Sequence, residues 1–490
     1  MKRISILLLA LVGLMTVPVL AQQVITLEQA LEISKKNSPD IRQTEFNLVR
    51  SEENLRAQKA ALKSRFSLSV TPFDYSSDRV FNDFFSTWYS SESKQSSGRL
   101  TVSQPIPWTD GTLSLINSFS WQDAYSEYQG TSSKTYSNNL YLSITQPLFT
   151  YNRTKLALRE LELDLENTRL AYAIQQLSLE KEVTQSYYTV YQNQMALDIA
   201  KEELENQRQS HEIIKNKVEA GLSAMEELYQ AELNLATSES SVYDQQLALE
   251  NGMDAFKRLI GMSLFDEIKV VTDISHRPVT VALDKAMEHG LKNRMELRQY
   301  AINIQSAQFS LIQTKALNEF KGDVTVAYGL IGNDATFNNM YDSPTKNEKF
   351  SISFDIPLFD WGEKKARIRA SEATIQSREL SLEDEKTSIM IAIRQVYRNL
   401  KNLEYQIVIA EQNERNAQLT YDINLERYRN GDLTSMDLSL YQNQLSQKKL
   451  SSIQALINYK LELLNMKIQS LYDFQKDQSV VPEVGSSAGL

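Results

Sequence analysis

The sequence contains no cysteine, three histidines (His211, His276 and His289), and far less glycine and proline than its length calls for. Its 15 Gly and 10 Pro stand where average usage gives roughly 34 and 25. Each shortage excludes something. Without Cys there is no disulfide, no thiolate metal ligand, no thiol nucleophile and no acyl anchor on an N-terminal cysteine. Three scattered His leave little for zinc chemistry. A chain so poor in turn-formers has few turns and long regular elements. The formal net charge of −10 has the wrong sign for coating nucleic acid. Past the N-terminus no apolar run reaches the roughly 18 residues of a spanning helix, so a membrane crossing would need strands. Enzyme signatures fail as well. His211-Glu212-Ile213-Ile214-Lys215 opens like a zinc-protease pattern but carries Lys where the second His belongs. There is no phosphate-binding glycine loop and no Gly-x-Ser-x-Gly elbow. The expectation is a non-enzyme with no cofactor and no metal.

What is present begins with an export signal. Lys2-Arg3, the apolar run Ile4–Val12 and Val19-Leu20-Ala21 fit a leader, residues 1–21, cleaved before Gln22. After it the chain repeats itself. Residues 26–43, TLEQALEISKKNSPDIRQ, align without a gap on 282–299, ALDKAMEHGLKNRMELRQ, at an offset of 256. Gln-Pro-Leu-Phe at 146–149 recurs as Ile-Pro-Leu-Phe at 356–359, an offset of 210 that also carries Tyr187 onto Tyr397, Gly221 onto Gly431, Glu227 onto Asp437 and Leu228 onto Leu438. A register held this long is internal duplication. The two offsets differ by 46 residues, so the first copy carries an insertion between its opening helix and its Pro-Leu-Phe. Part of it, 98–122, reads as a hairpin turning at Thr109-Asp110-Gly111.

Each copy has one plan. A helix (28–62; 284–320) is followed by strands, a very long helix (152–218; 364–428), a glycine turn and a further helix (224–260; 434–470). The long helix spans about 100 Å, and two shorter ones end to end match it. Val183, Val190, Leu197, Leu204, His211 and Val218 recur every seven residues, as do Ile393, Leu400, Ile407, Glu414, Tyr421 and Tyr428. That period predicts coiled-coil packing with a partly polar seam. The domain plan is 22–64 helix, 65–150 strands with the insertion, 151–261 helical hairpin, 262–283 linker, 284–321 helix, 322–360 strands, 361–474 second hairpin and 475–490 a flexible tail.

The strand segments alternate. Phe66, Leu68 and Val70 interleave with Ser67, Ser69 and Thr71; Leu140, Leu142 and Ile144 with Tyr141, Ser143 and Thr145; Phe350, Ile352 and Phe354 with Ser351, Ser353 and Asp355. One apolar and one small polar face suits a lipid-facing barrel with a wet lumen; a soluble sandwich would show the same pattern. There are four such strands per chain, six if the hairpin joins the sheet. Four cannot close a membrane barrel, so several chains would share one. Pro147 with Phe149, and Pro357 with Phe359 and Trp361, mark the strand-to-helix junctions, Trp361 placed like an interfacial aromatic or simply as loop punctuation. Gly221 and Gly431 mark the far turns, which are either docking tips or plain caps. Glu227 and Asp437, six residues on, form either a ring of carboxylates around an opening or a solvated helix face.

These motifs together resemble the TolC family of outer-membrane efflux proteins. They are the duplicated TLEQAL…NSPDIR and ALDKAM…NRMELR openings, PLFTYN and PLFDWGEKKARIRAS, and the turn sequences EAGLSAMEEL and RNGDLTSMDL. The resemblance implies a mainly α fold with a membrane β-barrel part: a long coiled-coil helical barrel plus a 12-stranded barrel shared by a homotrimer in the outer-membrane lipid. It implies a passive exit duct, extending into the periplasm, that docks a periplasmic adaptor and an inner-membrane pump of the RND type. Family tips that engage the adaptor map onto Gly221, Leu222, Ser223, Gly431, Asp432 and Leu433, and the family's periplasmic gate maps onto Asp437, its counterpart Glu227, and Tyr428. Two departures stand out: Leu440 occupies the place of a second constriction Asp, and Leu433 that of a basic residue. With no Cys to acylate, the barrel alone would anchor the chain. A duct for type I protein secretion, or a non-conducting helical scaffold, are the competing readings.

Overall fold

The computed structural model describes residues 23–271, 275 and 277–482; the expected leader 1–21 lies outside them. In chain order the elements are β1 (Gln23–Ile25), α1 (Leu27–Asn37), α2 (Pro39–Ala61), β2 (Arg65–Asn82), β3 (Thr87–Ile106), β4 (Gly111–Ser126), β5 (Thr131–Leu148), α3 (Arg153–Glu219), α4 (Met225–Ile260), β6 (Ile268–Val270), α5 (Leu283–Asn293), α6 (Met295–Lys315), β7 (Lys321–Asp334), β8 (Thr345–Asp355), α7 (Glu363–Asn430), α8 (Ser435–Ser470), β9 (Tyr472–Asp473) and β10 (Gln478–Ser479). The duplication is visible residue for residue: α4 and α8 start and stop at positions 210 apart, as do α1 and α5 at 256. No described helix is long and apolar enough to cross a membrane.

The chain divides into two compact units. One holds the residues up to Phe46 with Leu170–Leu297 and Asp384 onward; the other holds Asn47–Arg169 and Arg298–Glu383.

In the first unit the opening helix of each copy, expected to be continuous, is broken. Pro39 ends α1 by excluding helical backbone at Ser38, which adopts φ −56 and ψ 129. The second copy breaks at the equivalent Arg294 without a proline. There the guanidinium bonds Glu296 through Nε (2.9 Å) and Nη2 (2.7 Å) and reaches Gln469 with Nη1 at 2.5 Å. One geometry is thus kept by two chemistries. Ala30 and its repeat mate Ala286 are both fully buried. Each anchors a core: Ala30 with Ile41, Val183, Val190, Phe256 and Ile260, and Ala286 with Ile389, Ile393, Leu400, Ile407 and Met466.

The heptad rows fare differently. Ile393, Leu400, Ile407, Tyr421 and Tyr428 are all buried, with Glu414 half-buried. In α3 the row holds through Leu197 and then moves: Leu204, His211 and Val218 are half-buried, while Ala200, Gln207 and Ile214, three positions off, are buried. A straight helix drifts by about 20° per heptad, and over this length the drift carries a new row inward. The segment expected as a tail is tied down through at least Ser479. β10 pairs with β9, and Asp477 accepts from Lys285 Nζ (2.9 Å) and from the Tyr472 hydroxyl (2.5 Å).

The second unit holds one antiparallel sheet of six strands in the order β2-β3-β4-β5-β7-β8. The expected hairpin is real but longer, formed by β3 and β4, and it lies inside the sheet. Four strands per chain therefore become six. Opposed residues of an antiparallel pair share a face. Val102–Leu115–Leu142–Tyr328 and Leu113–Ile144–Val326–Phe350 run as apolar rows across the strands. The opposite face carries Arg65–Ser103–Ser114–Ser143–Ala327–Lys349. Aromatics flank the apolar band. At one end Phe337 meets Phe119, Tyr136 and Tyr341 at 5.9–6.0 Å; at the other, Phe320 meets Phe149 at 5.3 Å and Phe354 at 5.5 Å. An apolar band between aromatic girdles, with a polar reverse face, is the pattern of a membrane barrel wall.

Tyr187, fully buried in the first unit, donates its hydroxyl to the Val271 carbonyl at 2.7 Å, with the Ile25 carbonyl at 3.1 Å. It thereby closes over the parallel pair β1–β6. Burial, reinforced by neighbouring Tyr188, pushes its ionisation up to about 12 from 10.0. Between those values the unfolded chain has lost a proton that the fold retains, so this contribution is complete below pH 10 and is lost as pH rises toward 12. Denaturant titrations should therefore show wild-type stability falling more steeply over that window than the stability of Tyr187→Phe. At pH 7 the variant should be weaker by about 1 kcal/mol.

Candidate functional site at the helical turns

The α3–α4 and α7–α8 connections are built alike. Gly221 (φ 71) and Gly431 (φ 89) take left-handed backbone. The N–H of each glycine bonds back to Val218 or Tyr428 at 3.0 and 3.1 Å, and the next N–H to Lys217 or Arg427 at 2.8 and 2.9 Å. This double closure satisfies the terminal carbonyls of the long helices. A β-carbon at either glycine would meet nothing within 4 Å, so backbone conformation rather than crowding selects glycine there. Leu222 and Asp432 follow in the open, and Ser223 and Leu433 are half-buried.

The helices leaving the turns are capped unequally. Thr434 accepts from the Asp437 N–H (3.2 Å) and donates its hydroxyl to the Asp437 carboxylate (2.8 Å). At the equivalent place the first copy has Ala224, with no side-chain cap. The neighbouring Ser223 hydroxyl instead donates to Glu227 at 2.6 Å. Both acids occupy the third helical position, where the positive helix terminus favours a carboxylate. Asp437 is exposed and Glu227 half-buried, and each is bonded within its own turn.

Tyr428, in the last turn of α7, is buried. Ser210 Oγ donates to its hydroxyl at 3.0 Å, and that hydroxyl faces the Ser210 carbonyl at 3.3 Å. Lys217 Nζ donates to the Tyr428 carbonyl (3.3 Å) and lies 5.2 Å from the ring centre. Burial raises the Tyr428 pKa and the Glu227 charge pushes the same way, against the Ser210 bond. Ile214, Ala231, Tyr421, Leu438 and Leu445 pack with it, so all four helices meet in one core. Above this core the seam between α3 and α8 is polar. Gln442 bonds Gln207 (3.3 Å) and the Glu203 carbonyl (3.1 Å), and Ser446 donates to the Glu203 carboxylate (3.1 Å), whose pKa burial raises. Ser210, Lys217, Gln207 and Gln442 escaped sequence reading. The one signal for Gln207, Ser210 and Lys217 is the run of polar residues along α3 where an apolar row would be expected.

At the strand-to-helix junctions Pro147 does not end its strand: it lies within β5, opposite Asp323. Pro357 does follow the end of β8. Phe149 (φ 60) and Trp361 (φ 54) take left-handed backbone, and Trp361 stands 91% exposed with its ring 4.7 Å from Phe359. Asp110, read from sequence only as a turn residue, caps α3: its carboxylate accepts from the N–H groups of Arg153 (3.3 Å) and Thr154 (3.0 Å) and from the Thr154 hydroxyl. Among the described residues no group of three or more His, Asp or Glu is arranged to hold a metal ion.

The family model described as outer membrane efflux protein matches residues 112–262 and 286–467, one match per copy. A comparison with curated protein sequences finds no match. Among solved structures, the CmeC outer membrane channel of Campylobacter jejuni superposes with a TM-score of 0.69 at 14% identity, covering 94% of this chain and 87% of that one. The MtrE outer membrane channel of Neisseria gonorrhoeae, in its open state, gives 0.65 at 14% identity over 92% and 90%. VceC of Vibrio cholerae gives 0.65 at 14% identity over 91% and 96%. These likenesses establish the duplicated TolC-like fold. The chain belongs to the outer membrane efflux protein family, as an outer-membrane channel protein that extends into the periplasm.

Proposed function

We propose that three copies of the chain form the exit duct of a tripartite efflux system, taking substrate from a periplasmic adaptor and an inner-membrane pump of the RND type. The observation that carries the reading is the two-faced sheet with both edges, β2 and β8, unpaired among the described residues. In lipid such edges must be covered, and matching edges of further copies cover them while turning the polar face into a lumen. The duct does no chemistry, and the energy for transport comes from the pump. The turns at Gly221-Leu222-Ser223 and Gly431-Asp432-Leu433 dock the adaptor. Glu227 and Asp437 supply the carboxylates of the gate, which favour cations, and Tyr428 holds α7 to α3 behind them. Because each acid already takes a hydroxyl donor from its own turn, its carboxylate is held in place before any neighbour arrives.

Gly431→Arg puts a long side chain on a left-handed residue at the tip. It should abolish crosslinking to the adaptor while the oligomer stays intact in the outer membrane; unchanged crosslinking refutes the docking assignment. In planar bilayers, joint replacement of Glu227 and Asp437 by Ala should lower the cation-to-anion permeability ratio several-fold. A purified oligomer that never conducts, even as Asp437→Ala, favours the scaffold reading. Tyr428→Phe leaves the buried Ser210 hydroxyl without its partner, at a cost of about 1 kcal/mol. The expected readout is a higher open fraction in single-channel records.

A further inference from the structure

We propose that the strand pair β3–β4 is part of the barrel wall, so that the assembled barrel has eighteen strands and a backbone diameter about half as large again as a twelve-stranded one. The inference rests on the trimeric reading for its copy number and on the sheet for everything else. Six strands from each of three chains make eighteen.

Three observations place β3 and β4 in the wall rather than beside it. First, the pair is internal to the sheet: β3 bonds β2 along Arg65–Asn82, and β4 bonds β5 from Thr112↔Thr145 to Ser126↔Thr131. Peeling the hairpin away would break both ladders and strand their backbone groups in lipid. Second, along Arg65–Thr71, before the register shift at Thr71/Asp74, the two faces continue across it. On the apolar face Phe66–Val102–Leu115–Leu142 crosses from β2 to β5, and on the polar face Ser69–Arg99–Ser118–Asn139 does the same. An appendage outside the barrel would have no reason to keep the lipid and lumen faces in phase.

Third, the turn joining β3 to β4 is built into the barrel mouth. Asp110 caps α3, Asn152 Nδ2 donates to the Pro107 carbonyl (2.7 Å), and Gln146 Nε2 donates to the Thr109 carbonyl (2.7 Å). On its other flank Gln104 Nε2 donates to the Leu62 carbonyl (2.9 Å) and Gln104 Oε1 accepts from the Ser64 hydroxyl (2.6 Å). The hairpin therefore sits between the end of α2 and the start of α3, with polar contacts to both. Its span, 87–130, also accounts for nearly all of the 46-residue difference between the two repeat offsets.

Closure is sterically consistent. An even number of strands per chain leaves β2 and β8 running oppositely, so β8 of one copy meets β2 of the next in the antiparallel sense used throughout the sheet. With strands about 4.8 Å apart and tilted about 40°, eighteen give a backbone diameter of roughly 36 Å and twelve roughly 24 Å. The conduit across the membrane would then pass bulkier or more heavily hydrated cargo than a twelve-stranded wall.

The test is electron cryo-microscopy of the full chain, purified and placed in nanodiscs, with copy number measured on the same sample by native mass spectrometry. Three copies around eighteen strands and a ~36 Å barrel are expected. Three copies around a twelve-stranded barrel, with β3–β4 displaced, overturn the proposal and leave the trimeric reading intact. Two copies closing twelve strands overturn the trimeric reading, and the eighteen-strand count with it. A variant lacking residues 90–127 should narrow the barrel toward ~24 Å. If it fails to assemble, the native map alone decides.

Discussion

The sheet answers to one constraint: backbone donors and acceptors cannot be left unpaired in lipid. Among the described residues, a six-stranded sheet with one apolar face pairs its interior strands, apart from a register shift in β2, and leaves β2 and β8 as edges. The cost of an unpaired edge is paid per residue, several kcal/mol for each exposed group, so a single chain is not a finished object in a membrane. Under the oligomeric reading proposed above, neighbouring copies complete the hydrogen bonding that the sheet's edges lack.

The duplicated plan imposes a weaker constraint, because equivalent positions can solve one geometric problem differently. The helix break is kept by Pro39 in one copy and by the Arg294–Glu296–Gln469 bonds in the other. The turns are closed identically by Gly221 and Gly431, yet the helices that leave them are capped by Thr434 in one case and by no side chain in the other. Backbone geometry is what the repeats share, and side chains are free wherever the geometry has more than one solution.

This explains what could be read from the sequence. Periodicity and repeat offsets report backbone plan, so the long helices, the glycine turns and the alternating strands were all legible. The offset difference located the insertion, but a count of residues does not say whether they pair inside a sheet or loop outside it, and only the ladder partners of β3 and β4 resolve that. Pro39 marks the break at Ser38 in the sequence, whereas the break at Arg294 has no proline and is held by contacts to Glu296 and Gln469 that spacing does not encode. Ser210 and Lys217 were missed because each bonds a residue more than 200 positions away, Tyr428. At the turns, sequence placed Glu227 and Asp437 correctly in the first helical turn, while their hydroxyl partners depended on rotamers that no spacing encodes.

Asp110 caps the start of a 67-residue helix from a turn 43 positions earlier. The N–H groups at the head of α3 find their carboxylate only once the β3–β4 connection has closed. Closing the hairpin completes the cap of α3 at Arg153 and Thr154. The insertion thus adds a second cap to a helix that Asn152 already caps from within its own junction, where its Oδ1 accepts from the Lys155 N–H at 2.7 Å.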